Sequence, residues 1–154
     1  MNIVIIGATS GIGKVLFLKY ANADNRIGIV GRRANLLDEL CQKYPSKTIT
    51  AKADITNLEE IEQAINALHK ELEHIDLVIV SSGTGDINAE LDYNVERPTI
   101  DTNVMGWTYV VDILYNILSS KATATSSPSP LLVGCAVSRW LQPTALRKPI
   151  KSTT

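Results

Sequence analysis

Met1-Asn2-Ile3-Val4-Ile5-Ile6-Gly7-Ala8-Thr9-Ser10-Gly11-Ile12-Gly13 opens the chain, and its reading decides the fold. Asn2 to Ile6 is a short apolar run of β-formers that ends directly on a glycine-rich turn. Lys14-Val15-Leu16-Phe17-Leu18-Lys19-Tyr20 follows with helical spacing. A buried strand, a tight turn and a helix N-terminus, in that order, make an anion site, because the unpaired N–H groups of the first helical turn and the helix dipole face the ligand. Gly7 permits the turn, Gly11 lets the backbone approach the phosphates, and Gly13 lets the helix pack close to the sheet. The stretch predicts a site for the pyrophosphate of a dinucleotide.

Composition bounds the rest. At 154 residues with 45% apolar side chains, the chain makes one domain with room for a core. A net charge of −1 gives no sign of a nucleic-acid partner. Cys41 and Cys135 lack metal-ligand spacing, and Cys41 sits on an apolar helical face, so a reducing, cytoplasmic setting is expected. The opening strand leaves no room for a signal peptide, and no apolar run is long enough to span a membrane. The expectation is a soluble cytoplasmic protein with neither a metal, a membrane nor a nucleic acid as partner.

The opening unit then repeats. Arg26 to Val30 is a second strand, and Leu36, Leu37, Leu40, Cys41 and Tyr44 mark one face of a helix that stops at Pro45. Thr48 to Ala51 is a third strand. Leu58, Ile61, Ile65, Leu68 and Leu72 follow at helical intervals, with Thr56–Glu59 or Asn57–Glu60 as a capping box. Asp76 to Val80 reads as a strand covered on both faces. Ile100, Asn103, Val104, Trp107, Val111, Leu114 and Leu118 are expected to line one face of a long helix. Strands alternating with helices through right-handed crossovers predict a doubly wound parallel sheet, a Rossmann α/β fold, in the order 3-2-1-4-5.

The turn Gly7-x-x-x-Gly11-Ile12-Gly13 differs from the Gly-x-Gly-x-x-Gly of most Rossmann proteins. It resembles the classical short-chain dehydrogenase/reductase family, although Ile6 stands where that family has a threonine. The second strand ends Val30-Gly31-Arg32-Arg33, where an NAD-binding unit carries an acid for the ribose 2′-hydroxyl. Two guanidiniums there suit a 2′-phosphate, which a carboxylate would repel; the alternative is a solvated helix start. The resemblance is therefore to the NADP-preferring branch, and NADP(H) is the cofactor it implies. By the same resemblance, Gly7, Thr9, Ser10, Gly11, Ile12 and Gly13 surround the pyrophosphate, and Asp54 with Ile55 meets the adenine. Asp54 also reads as a helix-start acid. The family's Asn-Asn-Ala-Gly corresponds to Val80-Ser81-Ser82-Gly83, which leaves Ser81, Ser82 and Gly83 beside the cofactor ribose. Thr84-Gly85-Asp86 extends a rim to the cleft.

The resemblance implies hydride transfer between nicotinamide and a small-molecule carbonyl or alcohol. Asn103, with Gly106 three residues on, matches the family's Asn-x-x-Gly, in which the asparagine holds a relay water; otherwise it is a polar residue satisfied locally. The family's tyrosine acts as acid or base with a lysine four residues later. Here Tyr20, Tyr44, Tyr93, Tyr109 and Tyr115 are followed at that spacing by Asp24, Thr48, Arg97, Ile113 and Ser119, so the pair is absent. Ser138 either takes the place of the family's substrate-binding serine or is a surface serine.

Composition changes near Ser119. Residues 119–130 read as a Ser/Thr/Pro-rich linker, and 131–154 as a fifth strand followed by an irregular basic tail. Beyond Asp112 there is no acid, while Lys121, Arg139, Arg147, Lys148 and Lys151 are basic. The expected domain is 1–118, without the family's later strands, catalytic helix and substrate lid. A changed reading frame, a natural short form and a deliberate truncation all accommodate such a tail. Three readings of function follow: an NADP-dependent oxidoreductase inactive as this chain, a non-catalytic NADP-binding module, or a non-functional fragment. A homo-oligomer through the helix carrying Trp107 is the implied assembly.

Overall fold

The computed structural model describes residues 1–122 and 131–134. The chain runs β1 (Asn2–Ile6), α1 (Gly11–Ala21), β2 (Arg26–Gly31), α2 (Ala34–Lys43), β3 (Thr48–Lys52), α3 (Leu58–Leu72), β4 (Leu77–Val80), α4 (Tyr93–Ile100), a π-helical turn (Asp101–Gly106), α5 (Trp107–Ala122) and β5 (Leu131–Gly134). All strand pairs are parallel, in the order β3-β2-β1-β4-β5. Ile3 pairs with Ile27 on one side and Leu77 on the other, and Leu77 pairs with Leu131. The expected strand order is the observed one.

Alternation along the strands builds two cores, one on each face of the sheet. Ile3 and Ile5 of β1 point to one face, where Ile27, Ile29 and Ile79 join Phe17 of α1 and Leu37 and Leu40 of α2. Val4 and Ile6 point to the other, with Val78 and Val80, against Ile61, Ile65 and Leu68 of α3 and Val110 and Leu114 of α5. Every residue of β1 is buried, as a strand covered on both sides requires. At the start of α3, Asn57 is the cap and its side chain accepts from the Glu60 N–H at 3.3 Å. Glu60 does not reach back to Asn57; its carboxylate accepts from the Asp54 N–H at 3.2 Å, so only half a capping box forms.

The long amphipathic helix is corrected by the structure. Ile100 and Val104 are 41% and 56% exposed, and the buried positions are Thr102, Gly106, Val110 and Leu114. The cause is the π-helical turn, in which the Trp107 N–H reaches back five residues to the Thr102 carbonyl. One extra residue in the turn rotates everything upstream relative to α5, so a single 3.6-residue period cannot describe both. Pro98, without an N–H, already weakens α4 on the upstream side. Nor does the change of composition at Ser119 end α5, which runs to Ala122. Ser119 Oγ donates to the Tyr115 carbonyl at 2.6 Å, a local bond that seats a serine in a helix.

Candidate functional site

The cleft opens at the carboxyl ends of β1, β2 and β4, where an open parallel sheet reverses its strand order. It is bounded by the glycine turn, Arg32, Arg33, Ile55, Ser81 and Thr102, among others. A second depression adjoins it through Ser10, Ser81 and Gly83, and extends to Ile12, Thr84 and Asp86.

The glycine turn has the geometry an anion cradle needs. Gly7 has φ +89° and Gly11 φ +53°, in the left-handed region that glycine alone enters without strain. A Cβ on Gly7 would lie 2.7 Å from Ser82 N, and one on Gly13 would collide with the Gly7 carbonyl. Around Gly11 there is open space. Ser10 precedes α1 in extended conformation and makes no side-chain capping bond. The first N–H bonded back into the helix is that of Lys14, to the Ser10 carbonyl at 3.2 Å. The N–H groups of Gly11, Ile12 and Gly13 are therefore left for a ligand. This donor set, beside a wall without side chains, fits a pyrophosphate.

Arg33 Nη2 donates to Thr9 Oγ1 at 2.9 Å, which ties the end of β2 back to the turn after β1. Thr9 is only 7% exposed and sits where a Cβ on Gly31 would have to go, its methyl 2.9 Å from that point. Arg32 Nη1 lies 3.6 Å from Asp54 Oδ2, with the arginine side chain largely solvated and the aspartate about two-thirds covered. Asp54 Oδ1 accepts from the N–H and the hydroxyl of Thr56, both at 2.9 Å, so this acid also serves a turn. Its neighbours Ala53 and Ile55 line the cleft, whereas Asp54 contributes from the rim through Arg32.

Across the cleft, Asn103 lies in the π-helical turn, and both halves of its amide are engaged. Oδ1 accepts from the Thr84 N–H at 2.9 Å and Nδ2 donates to the Thr84 carbonyl at 2.7 Å. Gly106 makes that turn possible, since a Cβ there would lie 2.5 Å from the Ile55 carbonyl. Thr102, which sequence reasoning overlooked, is buried in the cleft wall; its signal was adjacency to Asn103. Gly31, also overlooked, lies against Thr9, and a glycine closing an apolar strand was the available signal. Ser138 and Cys135 lie outside the described residues. Among the described residues there is no cluster of His, Cys, Asp and Glu able to hold a metal ion, and no helix long and apolar enough to cross a membrane.

A doubly wound parallel sheet with a glycine turn under its switch point defines a Rossmann-like α/β protein. The family model for short chain dehydrogenase matches residues 1–125, and the chain belongs to that family. An uncharacterized oxidoreductase of Staphylococcus epidermidis is 33% identical over 110 residues, 70% of this chain and 48% of the relative. An NADP-dependent 3-hydroxy acid dehydrogenase of Schizosaccharomyces pombe is 30% identical over 127 residues, 77% of this chain and 49% of the relative. The chain thus spans about half the length of these curated relatives. Among solved structures, ElxO with NADP bound superposes with a TM-score of 0.75 at 19% identity, over 86% of this chain and 54% of that one. Serine dehydrogenase from Escherichia coli gives 0.74 at 21%, over 87% and 61%. The chain shares its fold with both solved structures.

Proposed function

We propose that this chain forms the NADP(H)-binding part of a short-chain oxidoreductase acting on a small carbonyl or alcohol. The observation that carries the reading is the corner where Thr9, Arg32 and Arg33 meet at the end of β2. Two guanidiniums beside a pyrophosphate cradle suit the extra phosphate of NADP(H). The glycine turn and the N-terminus of α1 would hold the pyrophosphate, and Ala53 and Ile55 give an apolar wall for the adenine. Ser81, Ser82 and Gly83 would approach the nicotinamide-side ribose. The bound cofactor would supply or accept the hydride. A reducing cytoplasm suits such a protein.

The proton chemistry is a different matter. No Tyr-x-x-x-Lys pair occurs in the 154 residues, so the chain has no group matched to protonating an alkoxide near neutrality. Binding without turnover is the expected behaviour, as a cofactor-binding module or as one part of a larger assembly. The surface of α4, the π-helical turn and α5 favours the assembly: Tyr93, Val104, Met105 and Tyr115 are 63%, 56%, 60% and 66% exposed. A homo-oligomer through the helix carrying Trp107 would cover part of that face. A non-functional fragment would instead leave it open to aggregation.

A thermal melt with NADPH or NADH titrated in tests the reading, since a ligand bound only by the folded state raises the midpoint with the logarithm of its concentration. The expected result is a rise with NADPH that NADH does not match. A cooperative melt that neither nucleotide moves would overturn it.

A further inference from the structure

The two arginines that end β2 are not equivalent. Arg33 is anchored by a neutral group, the buried hydroxyl of Thr9. Arg32 is paired with a carboxylate, Asp54, at 3.6 Å. A guanidinium held by a hydroxyl keeps its full charge for an incoming anion, and its direction is set before the ligand arrives. One held by a carboxylate is partly neutralised, and the same carboxylate faces the anion with the wrong sign. The anchor itself is firmly seated: the Thr9 methyl packs against Gly31, where any side chain would displace it.

We infer that Thr9 is a positioning residue that makes Arg33, and not Arg32, the group selecting a 2′-phosphorylated dinucleotide, while Asp54 restrains the contribution of Arg32. This rests on the reading of the cleft as an NADP(H) site. Thr9 sits under the ribose corner on a turn whose other members serve the pyrophosphate. Its removal should therefore act on the 2′-phosphate far more than on the rest of the nucleotide.

The test is titration calorimetry on the full chain with NADP⁺, NAD⁺ and 2′,5′-ADP, for the wild type and five variants. Thr9→Val keeps the methyl that packs on Gly31 and removes the hydroxyl; Thr9→Ser keeps the hydroxyl. Thr9→Val should weaken NADP⁺ and 2′,5′-ADP roughly tenfold, the scale of one hydrogen bond to a charged group, and NAD⁺ much less. Thr9→Ser should restore most of that loss. Arg33→Gln should reduce the NADP⁺ to NAD⁺ preference more than Arg32→Gln, and Asp54→Asn, which keeps an acceptor for Thr56, should strengthen it. Because both arginines are exposed, their comparison decides the question even if Thr9→Val does not fold. A wild type that prefers NADP⁺ with a ratio insensitive to Thr9→Val overturns the inference alone. So does a larger loss from Arg32→Gln than from Arg33→Gln. A wild type without preference overturns the NADP(H) reading, and this inference with it.

Discussion

Asn103 holds Thr84 by both halves of its side-chain amide, at 2.9 Å to the backbone N–H and 2.7 Å to the carbonyl. The paired bonds fasten the cleft rim that follows β4 to the π-helical turn. Asn103→Leu leaves two half-buried backbone groups without partners. It should destabilise the protein by about 1–3 kcal/mol in urea unfolding, the usual penalty for such groups. The exchange of the Thr84 amide hydrogen should accelerate in parallel. Unchanged stability with unchanged exchange would mean that the clamp contributes nothing.

The glycines of the turn separate folding from binding. Gly13→Ala puts a methyl into the Gly7 carbonyl, so α1 must move off the sheet, and a loss of about 2–4 kcal/mol or outright unfolding is expected. Gly11→Ala meets open space and only a positive φ, which costs roughly 1–2 kcal/mol. Its methyl would nevertheless stand at the open face of the cradle. Dinucleotide affinity should therefore fall further than stability does, as measured by calorimetry and chemical denaturation on the same preparation. Equal small effects at the two positions would contradict the close approach of α1 to the turn.

The rotation introduced by the π-helical turn is open to a direct comparison of two valines. Val110, on the core face of α5, is fully buried, whereas Val104, which the helical period sets on the core face, is 56% exposed. Val110→Ala should cost about 1–3 kcal/mol and Val104→Ala less than about 0.5 kcal/mol. A uniform α-helix from 100 to 118 predicts the opposite order, so one pair of urea melts decides between them.

Those valines also mark where reading the sequence stops working. Ile3 and Ile5 against Val4 and Ile6 show that strand alternation and flanking turns suffice for the sheet, its order and its two cores. The glycine turn was equally legible, because each glycine answers a local geometric need. The π-helical turn was not, since its causes are tertiary: Gly106 against the Ile55 carbonyl, and Asn103 reaching the backbone of Thr84. Periodicity assumes one helix type throughout. In the site, residue types announced Arg32, Arg33 and Asp54 but not their pairing. That Thr9 meets Arg33 depends on the space left by Gly31, a contact between segments 24 residues apart.

Between α3 and α5, Tyr109 donates its phenol to Glu62 Oε2 at 2.8 Å. The hydrogen bond to Glu62 raises the phenol pKa above 10.0, helped by desolvation and by the carboxylate's charge, since all three favour the protonated form. The folded state therefore holds this proton more tightly than the unfolded chain. The contribution to stability is fully present below about pH 10, the unfolded value, and is lost as pH rises through the higher folded value. Tyr109→Phe removes the donor and should flatten that alkaline loss, with little change in the pH dependence near neutrality. Urea midpoints measured from pH 7 to above pH 10 for both proteins provide the check. Parallel curves across the whole range would show that the bond to Glu62 does not persist in solution.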